Sequence, residues 1–173
     1  MNQLSDVSLR PAFLAAAFTL IACGGNQATA NLESRSNSTT TGTATFTQEG
    51  DKVELTLELS GTTPGKHGAH IHETGDCSAS DATSAGGHWN PDSKTHGSPD
   101  DGHHLGDLGN IEVAQDGKGK LTLSRSGWKL GDGSSSDVVG KALVIHASED
   151  DLTSQPAGNS GARVACGVIS KKE

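Results

Sequence analysis

The segment at residues 53–59 alternates strictly between apolar and polar side chains. Val53, Leu55, Leu57 and Leu59 occupy every second position, and charged or hydroxyl side chains lie between them. A period of two places the apolar side chains on one face of a β-strand and the polar ones on the other. A shorter alternating segment at residues 43–47 precedes it, and residues 48–51 between the two are turn-forming. These segments predict a β-hairpin with one buried face.

Six more short segments predict strands, and no segment convincingly predicts a helix. The chain has 23 Gly and only 3% aromatic residues, which is typical of short strands joined by long loops. We therefore expect one domain, an all-β, antiparallel, eight-stranded Greek-key sandwich or flattened barrel with two long loops. The six segments are residues 30–33 (a first edge strand), 69–73, 111–114, 120–124, 138–147 and 163–169.

The amino terminus predicts an export signal and a lipid anchor. The apolar run at residues 11–22 follows Arg10 and is too short for a transmembrane helix, which needs roughly 20 residues. It ends in the sequence LIACG, which resembles a bacterial lipobox with Cys23 as the lipidated residue. The alternative is ordinary signal cleavage after the Ala-Thr-Ala at residues 28–30. We divide the chain into a signal peptide (1–22), a tether (23–29) and a folded domain (30–173).

The remaining cysteines form an even pair. If Cys23 carries lipid, Cys77 and Cys166 are left in an oxidising compartment, where a disulfide is expected. The other reading is two unrelated buried thiols. We expect the mature protein to be a membrane-anchored lipoprotein facing the periplasm or the cell exterior; the choice between inner and outer membrane stays open.

The formal charge of −8 argues against a nucleic-acid partner. It also gives no reason to expect binding to an anionic membrane surface, so contact with the membrane is expected through the lipid anchor alone. An anionic substrate would need a local positive patch.

The eight histidines all lie between residues 67 and 146, most of them in or beside a segment of about 36 residues (74–109) without apolar periodicity. So long a loop in a compact domain is usually functional or tethered. His70 and His72 project from the same face of a strand and can reach one metal ion, although an isolated pair is more often two surface histidines. Three His with one Asp suit a zinc site, whereas four His suit copper.

The histidine motifs resemble those of the Cu/Zn superoxide dismutase family over about residues 30–170. The resemblance rests on five segments in family order: GAHIHE at 68–73, GHWNP at 87–91, HLGDLGN at 104–110, VIH at 144–146 and GNSGARVACGVI at 158–169. Each segment is modest alone, but five in order are specific. The spacing of the cysteines looks like that of the bacterial exported branch.

The resemblance implies two metal sites and the groups around them. His88 would bind both ions, losing its ring proton, and would deliver a proton during catalysis. Arg163 would attract and position the anion, and Asp150 would orient metal-binding histidines from outside. His104 keeps the family spacing to Asp107 better than His103 does; His103 and His67 are left at the surface. The implied ligands are His70, His72, His88 and His146 for copper, and His88, His96, His104 and Asp107 for zinc.

The implied activity is the dismutation of superoxide to dioxygen and hydrogen peroxide at a copper ion bridged to zinc by a histidine. One departure from the family is the short segment at residues 148–162, which contains no Lys. Lys66 and Lys94 are guesses for the charges that guide superoxide. The alternatives are an exported copper-buffering protein of the same fold without turnover, and a surface lipoprotein whose histidines are incidental. The sequence does not predict an oligomeric state.

Overall fold

The computed structural model describes residues 26–100 and 102–172. The signal peptide and the predicted lipid attachment at Cys23 lie outside these residues. Within them no helix is long and apolar enough to cross a membrane. A single turn of 3₁₀-helix spans Thr83–Ala85. The strands of this part of the chain are β1 (Gln27–Ser34), β2 (Thr41–Glu49), β3 (Lys52–Ser60), β4 (Gly65–His72), β5 (Asp107–Val113), β6 (Gly119–Arg125), β7 (Ala142–His146), β8 (Arg163–Val168) and β9 (Ser170–Lys171).

The strands form a closed antiparallel barrel with Greek-key connections. Their order is β2-β3-β6-β5-β4-β7-β8-β1, and an additional β1–β2 pairing closes the ring of eight. The short β9 pairs with the start of β1. The predicted all-β Greek-key fold is confirmed. Closure leaves no exposed edge in the ring, so the predicted edge strand at residues 30–33 pairs on both sides, with β2 and with β8.

The barrel interior holds the apolar face that the alternation predicts. Val53, Leu55 and Leu57 of β3 are fully buried, together with Phe46 of β2. Trp128, from the connection after β6, is also fully buried, and its ring centroid lies 5.9 Å from that of Phe46. One interior is thus filled mainly by aliphatic side chains from all eight strands.

Four strands begin three or more residues away from the predicted start, among them β4, which begins at Gly65 and not at residue 69. β1 begins at Gln27, and its pairing with β2 and the full burial of Ala28 make residues 27–29 part of the barrel wall rather than of a tether. β5 begins at Asp107, because Leu108 already faces the core with 1% of its surface exposed. The segment predicted as one strand at residues 138–147 forms a strand only as β7, since Val138 belongs to the preceding buried loop.

The long connection between β4 and β5 is fixed against the outside of the barrel. A disulfide joins Cys77 to Cys166 of β8, as predicted. Nearer its end, the connection bonds to β4 through Trp89 N–H to Ile71 O (2.8 Å) and Ile71 N–H to Gly106 O (2.8 Å). A Cβ at Gly106 would overlap the Ile71 carbonyl, so only glycine permits this approach. The loop therefore presents its histidines to the strand at fixed positions.

Candidate metal centre

Strands β4 and β7 supply three histidines on the outer face of the barrel. Ala69 and Ile71 of β4 point into the core, so His70 and His72 between and after them point outward. His146 ends β7, which pairs directly with β4. The β4–β5 connection adds His88, whose backbone forms an isolated bridge with His72. The β4–β7 strand pair and the disulfide-bonded β4–β5 connection thus bring these four histidines together.

The four histidines predicted to bind copper (the copper cluster: His70, His72, His88 and His146) each turn a free ring nitrogen to the same buried space. His70 Nδ1, His72 Nε2, His88 Nε2 and His146 Nε2 are buried and have no hydrogen-bond partner. One ligand atom from each of the four residues lies within 4.8 Å of the others. Buried polar atoms are nearly always hydrogen-bonded, so four converging orphans indicate a missing common partner. A metal ion that prefers imidazole fits this donor set.

A second cluster, called the zinc cluster after the predicted ligands, surrounds Oδ1 of Asp107. Asp107 Oδ1 lies 3.0 Å from His96 Nδ1, 3.2 Å from His88 Nδ1 and 3.2 Å from His104 Nδ1. Three imidazoles and one carboxylate are the donor set that was predicted for zinc. His88 turns its two ring nitrogens to the two clusters, so it is the group that they share.

The second set whose ligand atoms all lie within 4.8 Å of one another contains His70, His88, His96 and Asp107, with His70 in place of the predicted His104. However, His70 Nε2 donates to Asp150 Oδ2 at 2.7 Å, and its other nitrogen faces the copper cluster. His104 Nδ1 is buried without a hydrogen-bond partner beside Asp107, so we assign His104 to the second cluster.

Asp150 connects the two clusters from outside. Its Oδ2 accepts from His70 Nε2 at 2.7 Å, and its Oδ1 accepts from His96 Nε2 at 2.9 Å. Asp150 is 1% exposed, and Asn110 bonds its main-chain N–H and C=O through one side-chain amide. A carboxylate in this position fixes the orientation of one ring in each cluster.

Burial favours the neutral form of three imidazoles in the copper cluster, those of His70, His72 and His146. Burial lowers the pKa of His72 to about 2 and that of His146 to about 4. Burial, helped by repulsion from His88, holds the pKa of His70 well below its usual value. Neutral imidazoles have a lone pair available for a metal ion.

The second cluster is more polar. Burial alone would lower the pKa of His96, but the hydrogen bond to Asp150 and the charge of Asp107 raise it. Burial alone would raise the pKa of Asp107, but hydrogen bonds from His88 and from the Gly97 N–H lower it, so the carboxylate stays ionised.

Comparison with known proteins gives the family. The family model for copper/zinc superoxide dismutase (SODC) matches residues 40–169, well over half of the chain. The chain belongs to the copper/zinc superoxide dismutase family. A crystal structure of the clock protein EA4 has the same fold, with a TM-score of 0.75 and 35% sequence identity over 91% of this chain and 99% of that one.

Arg163, the predicted anion-binding residue of the family, lies at the start of β8 opposite His146. Its guanidinium donates to Ala82 O and Gly86 O, both at 2.7 Å. Gly86 O also accepts from His72 Nδ1 at 3.0 Å, so the disulfide-bonded loop joins the arginine to a copper-side histidine. Arginine keeps its charge at neutral pH even when partly buried, so this is a fixed cation beside the copper cluster.

The two histidines that were predicted at the surface differ. For His67 the prediction is wrong: it is 3% exposed, its Nδ1–H donates to His146 O at 2.8 Å, and its Nε2 lies 2.9 Å from Thr63 O. It lies on β4, where its main chain pairs with Ile111 of β5. His103 is partly exposed and belongs to neither cluster. Lys66 is paired with Glu149 at 2.9 Å, which weakens it as a guide for superoxide.

The sequence analysis did not find two arginines, one of which bonds to the disulfide-bonded Cys77 and the other to Asp107 of the second cluster. Arg35 donates through Nε–H to Cys77 O at 2.9 Å, beside the disulfide. Arg125 donates to Asp107 O at 3.2 Å and to Asp100 O at 2.9 Å. These three bonds join residues 42, 18 and 25 positions apart and end on main-chain carbonyls, which every residue type has. No sequence pattern could have revealed them.

Proposed function

We propose that the chain is a superoxide dismutase that holds copper at His70, His72, His88 and His146 and zinc at His88, His96, His104 and Asp107. The observation that carries the proposal is the set of four buried, partnerless imidazole nitrogens that converge beside a fixed arginine. Family membership supports both metals and superoxide as the substrate. Bound copper supplies the one-electron chemistry that converts two superoxide anions into dioxygen and hydrogen peroxide.

The protein's own groups would prepare the substrate and the proton. The Arg163 guanidinium, held by two carbonyls at 2.7 Å, attracts an anion to the copper-side histidines and keeps its position while doing so. His88 Nε2 has no protein partner, so it is the atom at which a proton is held and released toward the substrate. Asp107, near His88 Nδ1 at 3.2 Å, fixes the ring that carries this proton.

A second candidate function is copper binding without turnover. The segment at residues 148–162 contains no Lys, so it supplies no lysine to guide an anion toward the copper cluster. EA4 is described as a clock protein, so the likeness to it does not decide between the two candidates. The presence of Arg163 in a rigid setting favours the enzyme.

The test is reconstitution of the purified chain with copper and zinc, followed by an assay of superoxide consumption. The enzyme predicts activity that rises in proportion to bound copper. Stoichiometric copper without superoxide consumption would favour the copper-binding protein. Failure to retain either metal after dialysis would reject both candidates.

We also propose export and lipid attachment at Cys23. The support is the apolar run at residues 11–22 with its lipobox-like end, together with a disulfide of the kind that is common in oxidising compartments and rare in reducing ones. Mass spectrometry of the amino-terminal peptide from the membrane fraction tests this. A diacylglyceryl Cys23 is expected, and an unmodified terminus at residue 31 would indicate ordinary signal cleavage instead.

A further inference from the structure

The connection between β7 and β8 forms a small closed loop of its own. Asp151 Oδ1 accepts from the main-chain N–H of Thr153 (3.0 Å) and of Ser154 (2.8 Å). Asn159 donates to Asp151 Oδ2 at 3.2 Å and to Ser154 Oγ at 2.9 Å. The loop ends are joined further by Asp151 N–H to Gly158 O at 3.0 Å. The charge and amides of this loop are therefore used to hold its shape.

One side chain of this loop reaches across to the β4–β5 connection. Gln155 Oε1 accepts from the His96 N–H at 2.9 Å, and Gln155 Nε2 donates to the His96 carbonyl at 3.0 Å. A single amide thus pairs with both polar groups of one residue, as a neighbouring strand would. His96 is 2% exposed, so both of these main-chain groups are in a place where an unmet hydrogen bond is costly.

The remaining contacts of His96 act on its ring. Asp107 lies 3.0 Å from Nδ1, and Asp150 accepts from Nε2 at 2.9 Å. Asp150 comes from the same closed loop as Gln155, so this loop holds His96 at two points, one on the ring and one on the backbone. His96 does not belong to the copper cluster. A side chain that holds the main chain of His96 therefore affects the geometry of the zinc cluster first.

We propose that Gln155 is a positioning residue for the zinc half of the centre, which holds the His96 main chain so that Nδ1 stays beside Asp107. The inference rests on the zinc site of the proposed function. It gives the short loop at residues 148–162 a role of its own, which is to support a metal ligand.

Two substitutions at Gln155 test the proposal. Gln155→Glu keeps the size of the side chain but removes the donor to the His96 carbonyl, and Gln155→Ala removes both hydrogen bonds. Gln155 is exposed on its outer side, so neither change leaves a core cavity. Gln48→Ala is the matched control, because Gln48 also bonds two carbonyls (Gly50 and Lys52) but does so in the distant β2–β3 turn.

The measurements are the zinc and copper dissociation constants of the purified full chain, by competition with chelators, and the visible spectrum of Co²⁺ bound in place of zinc. Both Gln155 variants should bind zinc about 10-fold more weakly, since outer partners of metal ligands typically have effects of this size. Copper affinity should stay unchanged, the Co²⁺ spectrum should change, and Gln48→Ala should match the wild type.

Unchanged zinc affinity and an unchanged Co²⁺ spectrum in both variants would overturn the proposal. Equal losses for zinc and copper would also overturn it, because they would indicate a general loss of structure. A normal Gln155→Glu beside a weakened Gln155→Ala would overturn the role of the Nε2 donor, because the glutamate keeps an acceptor for the His96 N–H and loses only the donor to the His96 carbonyl. If the wild-type chain binds no zinc, the zinc site of the proposed function fails as well; zinc binding without superoxide consumption leaves this inference standing while the dismutase fails.

Discussion

Acidification should destabilise the metal-free protein well before its carboxylates titrate. The groups responsible are His72 and His146, whose pKa values burial lowers to about 2 and about 4. An unfolded chain returns both imidazoles to a pKa of about 6.5. Below pH 6.5 these two imidazoles therefore bind protons in the unfolded state but not in the folded state, so unfolding is favoured as the pH falls.

The magnitude follows from the two pKa values. At pH 5.5 both imidazoles are still neutral in the folded state. Each of them therefore lowers the free energy of unfolding by up to about 1 kcal/mol between pH 6.5 and 5.5. The two together remove about 2 kcal/mol, a large part of the roughly 5–15 kcal/mol by which a domain is stable. His70, whose pKa burial also lowers, acts in the same direction. The raised pKa of His96 acts oppositely, but its contribution is already complete below pH 6.5, so it does not cancel the loss.

Urea unfolding of the metal-free chain at pH 7.0, 6.5, 6.0 and 5.5 measures this effect. The midpoint should fall with pH while the slope m stays constant. Replacing one of the two groups, by His146→Gln, should flatten the dependence of stability on pH. His103→Gln, at a partly exposed site outside both clusters, is the matched control and should leave the dependence unchanged. Stability that is constant or that rises between pH 6.5 and 5.5 would refute the reasoning.

Three further outcomes can be checked with the same material. Arg163→Gln should slow superoxide consumption by about tenfold or more while the metal content stays the same, and an unchanged rate would remove its assigned role. Changing both Cys77 and Cys166 to Ser should cost about 4–5 kcal/mol in urea unfolding, from loop-closure entropy over the 89-residue separation; a loss below about 1 kcal/mol would contradict this. Gly158→Ala should weaken both copper and zinc binding in chelator competition, because its Cβ would overlap Asp150 Oδ1; affinities equal to the wild type would mean that Asp150 does not orient the ligands.

The barrel was predictable because its signals are local and periodic. The alternation at residues 53–59 determines which side chains of β3 are buried, and Leu55 and Leu57 are indeed fully buried. The same argument places His70 and His72 on one face of β4. The grouping of the histidines with Asp107 came from the resemblance in motif order, and in the structure His88, His96 and His104 each have Nδ1 within 3.2 Å of Asp107 Oδ1.

The sequence analysis missed contacts that depend on the three-dimensional path of the loops. His67 looks like a surface residue in the sequence, but in the fold it is 3% exposed and its Nδ1–H donates to the carbonyl of His146, 79 residues away in the sequence. Gln155 and Arg35 act on main-chain groups of His96 and Cys77, which have no signature in the sequence. The barrel closure likewise could not be inferred from the short segment at 30–33, because its second partner, β8, lies more than 120 residues away.

The most direct test of the account is the metal content of the purified chain together with its superoxide-consuming activity, measured after metal removal, after zinc alone and after zinc plus copper. The account predicts one zinc and one copper per chain, with activity that appears only in the last sample and is proportional to copper. Full occupancy by both metals without superoxide consumption would contradict it and leave a copper-binding protein on a dismutase fold.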